Sequence, residues 1–188
     1  MKSEQLAVMR ELGAKGQGFG EQWDAVFESA FLIHGHVCGG MPLGFRAGLA
    51  ALERLGAERE LNMAKLAFVE TGTGHAAGCF ADGVQMATGC TFGKGLIERT
   101  QYGKWAMVLV DRATGKAVRV SVRPEVIQAS FQSPFVQLRK QSVAPTDIPL
   151  ETSRPLVEKL PGRSAEEPFV APDLNYPLPP TAAPPFNP

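Results

Sequence analysis

The sequence predicts an α+β domain, helices packed on one face of a mostly antiparallel sheet, followed by an extended proline-rich arm. Three observations predict it. Apolar residues recur at helical spacing through the first half of the chain. Val118, Val120 and Val122 then alternate with Arg119, Ser121 and Arg123, the period-two signature of a sheet with one wet face. Glycine and proline are also segregated: nineteen of twenty glycines precede residue 116, and twelve of fifteen prolines lie between Pro145 and Pro188. Residues 1–142 therefore read as one compact domain and residues 143–188 as an arm.

Ser3 to Lys15 forms an amphipathic helix through Leu6, Met9 and Leu12, and Gly13, Gly16, Gly18 and Gly20 end it. Phe19 to Ile33 gives a second helix, with Trp23, Val26, Phe27, Ala30 and Phe31 at helical spacing. Leu43 to Leu55 is a third, rich in small residues and apolar nearly all round, which predicts burial. Leu66 to Glu70 suits a short strand and Cys79 to Ala87 a further helix. A meander follows: Leu96 to Gln101, Lys104 to Asp111 and Ala117 to Val122 are strands joined by Tyr102-Gly103 and Arg112-Ala113-Thr114-Gly115 turns. Pro124 opens a last helix carrying Val126, Ile127 and Phe131. In the arm, apolar residues from Leu150 and Leu156 to Tyr176, Leu178 and Phe186 alternate with prolines, a pattern suited to lying along a partner subunit. Proline fixes φ, so such an arm loses less entropy on docking than a flexible one.

With 188 residues and 20.2 kDa, one domain with an appendage is expected. Nineteen basic side chains balance nineteen acidic ones, which argues against a nucleic-acid binder working through a basic surface. No apolar run approaches the roughly 18–20 residues that cross a bilayer, and the N-terminus mixes charge with apolarity unlike a secretory leader. A cytoplasmic protein is the expectation, or one whose leader has already been removed.

Three cysteines do not suit a closed disulfide framework. All three, Cys38, Cys79 and Cys90, fall between residues 34 and 90, together with all three histidines, His34, His36 and His75. In His34-Gly-His-Val-Cys38-Gly-Gly, two imidazoles and a thiol lie within five residues and a glycine loosens the turn. Soft nitrogen and sulfur donors at this spacing suit zinc or another late first-row metal. The plainer alternative is a helix–helix turn with two hydrogen-bonded histidines. A second cluster is Thr71-Gly-Thr-Gly-His75-Ala-Ala-Gly-Cys79, a glycine-rich loop between a strand and a helix, with Asp82 one turn on placed to cap or to orient a ligand. Its GxG lacks the Lys-Ser/Thr of a phosphate loop. A third stretch is Thr88-Gly-Cys90-Thr-Phe-Gly-Lys94-Gly. Cys90 is a ligand, a nucleophile or a small buried hydrophobe, and Lys94 either meets an anion or is a solvated turn lysine.

These strings, with Leu43-Gly-Phe-Arg-Ala-Gly and Cys79-Phe-Ala-Asp-Gly-Val-Gln, resemble the FmdE-like family of formylmethanofuran dehydrogenase operons over roughly residues 20–125. The resemblance implies a fold like the catalytic domain of glyceraldehyde-3-phosphate dehydrogenase, a homodimer, and a metal- and cysteine-bearing cleft near the dimer interface. It implies His36, Cys38 and Cys79 as ligands with His34 beside them, and Asp82, Cys90 and Lys94 around the cleft. Cys38-Gly-Gly stands where many members have Cys-Pro-Gly, and His75 lies in an insertion-like loop. No cysteine follows Cys90, so the zinc ribbon of some members is absent and the proline-rich arm takes its place.

Three functions are consistent with this reading. One is a metal-binding protein, zinc being the first choice, that serves molybdenum, tungsten or other redox enzymes. A second is a haem or other tetrapyrrole binder with His or Cys as axial ligand, for which His75 is the motivating residue. The third is a thiol enzyme with Cys38 or Cys90 as nucleophile and His34 or His36 as base.

Overall fold

The computed structural model describes residues 3–14, 21–158 and 168–175. Three layers are stacked in it: a twisted sheet, a buried pair of helices, and an outer set of helices.

The buried pair is α3 (Gly40–Leu55) and α4 (His75–Thr88). The all-round apolarity of α3 has a direct cause. Leu43, Ala47 and Ala51 belong to the core against the sheet, while Met41 and Phe45 belong to the core against the outer helices. α1 (Ser3–Ala14) and α2 (Glu21–His34) close that second core with Met9, Leu12, Phe27 and Phe31.

Glycines set the distance between α3 and α4. A Cβ on Gly44 would lie 1.9 Å from the Phe80 carbonyl oxygen, and one on Gly83 would lie 2.0 Å from that of Met41. Only glycine permits backbones to approach so closely. This seam runs up to the site, where a Cβ on Gly40 would lie 2.9 Å from Cβ of Cys79.

The sheet holds β1 (Lys65–Val69), β2 (Ile97–Arg99), β3 (Ala106–Asp111) and β4 (Lys116–Val122) in the order β2-β1-β3-β4. β1 runs antiparallel to β3, with Ala67 opposite Leu109, and β3 antiparallel to β4, with Met107 opposite Val120. The expected meander is corrected here. β2 pairs with β1, in parallel, with Ala67 opposite Ile97, so β1 sits between the two strands expected to be neighbours. Local alternation marks a strand but does not select its partner.

Beyond β4 the expected single helix is two, α5 (Pro124–Gln132) and α6 (Pro134–Lys140). Pro134 lacks an N–H and drives the preceding residue out of helical geometry. Ser133 is accordingly extended, and its Oγ accepts from the Val136 N–H at 3.3 Å as the α6 cap.

The arm is also corrected where it is described. Leu150–Glu158 form a helix, α7, despite Pro155, and bury Ser153 and Val157. β5 (Phe169–Val170) and β6 (Asp173–Asn175) pair with β4 of the same chain. Burial of Ile148, Val157 and Phe169 outweighs the extended preference of the prolines. Tyr176, Leu178 and Phe186, which carry the expectation of an arm on a partner subunit, lie outside the described residues. Among the described residues no helix is long and apolar enough to cross a membrane.

Candidate metal centre

α2 ends at His34, and the next residue, Gly35, has φ +86°. That left-handed conformation turns the chain back sharply, so that His36 folds against His34 with ring centroids 4.1 Å apart. Cys38 follows, two residues ahead of α3, and the α3–α4 seam carries Cys79 to the same point. His34, His36, Cys38 and Cys79 each offer one donor atom there, and these atoms all lie within 4.8 Å of one another.

Nε2 of His34 is 3.2 Å from Nε2 of His36 and 3.4 Å from Sγ of Cys38. Sγ of Cys79 is 3.9 Å from Nε2 of His36. A tetrahedral zinc-type ion with N ligands at about 2.05 Å and S ligands at about 2.3 Å holds its N···N pairs about 3.3 Å and its N···S pairs about 3.5 Å apart. The two His34 distances match these spacings, while the Cys79 side, at 3.9 Å and up to 4.8 Å for the widest pair, lies wider and would draw in around an ion; the softness of the donors suits it.

Asp82, one turn along α4 from Cys79, supports the cluster. Nδ1–H of His34 donates to the Asp82 carboxylate at 2.8 Å, which turns Nε2 toward the donors. Gln85 in turn donates to Asp82 at 3.5 Å.

Burial alone would lower the His34 pKa, but hydrogen bonds to Asp82 and Cys38 outweigh it and raise the imidazole to about 9. The hydrogen bond from Cys79 holds the Cys38 thiol well below its ordinary range; burial opposes this, and His34 and His36 reinforce it. The same bond, with burial, pushes Cys79 upward. Without metal the cluster is therefore a His34 imidazolium facing a Cys38 thiolate, with the second thiol donating to the first.

His36, Cys38 and Cys79 also form part of the wall of a cavity of about 360 Å³. Its other walls come from α5, α6 and α7 together with Trp105. Sequence reasoning missed these walls. Ile127, Phe131 and Phe135, spaced four apart, were the available signal.

The remaining predicted residues are placed elsewhere. Cys90 is fully buried among the apolar side chains between α3 and the sheet, and burial pushes its thiol up to about 11. It is the small buried hydrophobe of the three alternatives. Lys94 closes a short 3₁₀ turn, Phe92–Lys94, and lines no part of the cavity. His75 is the first residue of α4; its side chain lies outside the described residues. α4 begins a turn earlier than expected, so Cys79 sits inside the helix rather than at its start.

Comparison with known proteins bears on this site. A probable S-adenosyl-L-methionine-binding protein of Archaeoglobus fulgidus is 36% identical over 110 residues, covering 56% of this chain and 29% of the relative. The chain thus spans less than a third of that relative's length. A crystal structure of a tungsten formylmethanofuran dehydrogenase FmdE-like protein from Syntrophus aciditrophicus superposes with a TM-score of 0.53 at 24% identity, covering 84% of this chain and 73% of that one. At that identity the likeness is one of fold. The model of the FmdE family, described as molybdenum formylmethanofuran dehydrogenase operon, matches residues 33–167. That match spans most of the chain and takes in the whole four-donor cluster, and by it this chain belongs to the FmdE family.

Proposed function

We propose that this chain is a metal-binding FmdE-like protein that holds one zinc-type divalent ion on His34, His36, Cys38 and Cys79. In this reading it serves as an accessory to molybdenum, tungsten or other redox enzymes. The observation that carries the metal is the convergence of four soft donors, from two segments about forty residues apart, within 4.8 Å. A zinc ion on all four donors would have a filled shell and would order the turn against the α3–α4 seam; it would act as a Lewis acid only where one donor gave way, and Asp82 would fix the tautomer of His34.

Four donors converging on one point favour a single ion over haem, whose iron takes one or two axial ligands, and the side chain of His75, which motivates the haem reading, lies outside the described residues. S-adenosylmethionine, which the name of the Archaeoglobus relative gives as its ligand, carries a sulfonium cation, and among the described residues no carboxylate lines the cavity. A thiol-enzyme reading retains Cys38 alone, since Cys90 is buried with a raised pKa. A homodimer through residues 176–188 is part of the proposal, supported by the apolar residues set between prolines there.

Elemental analysis of the protein as isolated, without chelators, tests the metal. One equivalent per chain is expected, lost in Cys38→Ser, whereas metal-free wild type that also fails to take up zinc on titration would refute the reading. Light scattering tests the dimer: removal of residues 176–188 is expected to give a monomer, and an unchanged mass would refute the role of the arm.

A further inference from the structure

The cavity beside the four donors has a composition that the metal centre does not explain. Its volume, about 360 Å³, is that of a small-molecule site. Trp105 from the strand side, Ile127 and Phe131 from α5, Phe135 from α6 and Leu156 from α7 give it apolar walls. Two cations, Arg139 and Lys140, stand in the last turn of α6 and also line it. Among the described residues no Asp or Glu lines it. Among the described residues neither cation has a carboxylate partner. Arg139 donates through Nη1 to the Val143 carbonyl, which neutralises no charge, and Lys140 Nζ stands 6.0 Å above the Phe131 ring.

An apolar chamber with two cations and, among the described residues lining it, no carboxylate selects its ligand by sign. Burying a hydrocarbon body there is favourable by its apolar area. An anionic end gains charge-assisted hydrogen bonds from the guanidinium and ammonium groups, whereas a cationic end meets repulsion. A neutral ligand of the same length gains the apolar part alone.

We propose that the cavity is a binding site for an apolar carboxylic acid. Its carboxylate lies beside Arg139 and Lys140, and its hydrocarbon body lies along Trp105, Ile127 and Phe135 toward the Cys38 and Cys79 end. The proposal deepens the metal-centre reading, since that end of the cavity is the centre itself, but ligand binding and metal content are measured separately.

Octanoate, octanol and octylamine are the probes, titrated calorimetrically into the metal-loaded protein, with zinc content assayed on the same samples. Octanoate is expected to bind one to one, about tenfold or more tighter than octanol, with octylamine weakest. The double variant R139Q/K140Q is expected to bring octanoate down to the affinity of octanol while leaving octanol unchanged, and Arg139→Lys to retain octanoate. Ile127→Trp, which fills the chamber, is expected to abolish both, with zinc content unchanged. Ser130→Trp, on the same wall, repeats that test should the first variant fail to fold. The proposal is overturned if octanoate shows no saturable binding, if octanol or octylamine binds as tightly, or if both filling variants leave binding intact. Loss of zinc from wild type with octanoate binding retained would sink the metal reading and spare this one.

Discussion

Gly83→Ala is the substitution that tests whether the α3–α4 seam builds the metal centre. The added Cβ would meet the Met41 oxygen at 2.0 Å and the Phe45 nitrogen at 2.4 Å, against 3.4 Å for ordinary contact. Both neighbours are backbone, so no rotamer change relieves the clash and the helices must part by about 1.4 Å, the difference between 2.0 and 3.4 Å. Gly83 is one turn beyond Cys79, while Met41 is three residues beyond Cys38, so the separation is transmitted to the two sulfurs. Metal–ligand distances keep within about 0.2 Å of their usual values, so a parting of about 1.4 Å is several times what the shell can absorb without rearranging. Overpacking costs about 1–3 kcal/mol or more, offset by up to about 1 kcal/mol from the better helix propensity of alanine. A net loss of about 2 kcal/mol is expected, or roughly 4–8 °C in Tm for a chain of this size, together with most of the bound zinc. Gly78→Ala in the same helix is the control. Its Cβ meets nothing nearer than Arg99 Nη1 at 4.0 Å, so stability should rise by up to about 1 kcal/mol with zinc unchanged. Thermal melts and zinc content of the two variants provide the measurement. Gly83→Ala with wild-type Tm and full zinc would refute the reasoning.

Four further outcomes follow from the site and its surroundings. Asp82→Asn removes the charge that orients His34 and should weaken zinc affinity about 10–100-fold in a chelator competition, while the fold, read by circular dichroism, stays intact. In metal-free protein Cys38 should show thiolate absorbance near neutral pH that Cys79→Ala reduces most and His34→Gln reduces less. The pH dependence of stability follows with opposite signs. His34, raised from 6.5 to about 9, contributes stability that is complete below 6.5 and lost as pH rises through about 9. Cys38, lowered from 9.0, contributes stability present above 9.0 and lost as pH falls through its folded value. Between 6.5 and 9 the Cys38 slope opposes the His34 slope wherever both apply, so denaturant midpoints should fall less than His34 alone dictates, and a fall by the full slope of one proton across that window would contradict the pairing. Cys90, fully buried and raised to about 11, should resist iodoacetamide at about pH 8 in the native protein, and Cys90→Ser should leave zinc content unchanged.

Which parts of this molecule were legible in its sequence follows from how local their causes are. The turn from His34 to Cys38 is a local event: a helix ends, one glycine adopts φ +86°, and three donors fall together whatever the rest of the chain does. The same holds for Asp82, whose spacing from Cys79 places both on neighbouring turns of α4. Pairing is not local. Nothing in Leu96 to Gln101 says that its partner is β1, because the alternating pattern is the same for an edge strand in a meander and for one placed by a crossover. α7 was hidden by Pro155 and its proline-rich surroundings, yet Leu150, Ser153 and Val157 keep helical spacing, and the burial of Ser153 and Val157 supports the helix. The cavity was least legible of all. Apart from the centre and the adjoining ends of α3 and α4, its walls come from segments between Trp105 and Leu156, each ordinary alone, and only the docking of α5, α6 and α7 against the centre brings them together. The glycines occupy the middle ground. Gly44 and Gly83 read in sequence as small residues in a buried helix pair, and the structure adds the consequence that matters for function. Because a methyl group at either position would collide with backbone 1.9–2.0 Å away, the approach of α3 to α4 that joins Cys38 to Cys79 is fixed by those two residues, neither of which carries a donor atom. Selection for the metal centre would therefore act on positions that touch no metal, and a variant altered only at Gly44 should lose zinc as fully as one altered at Cys38.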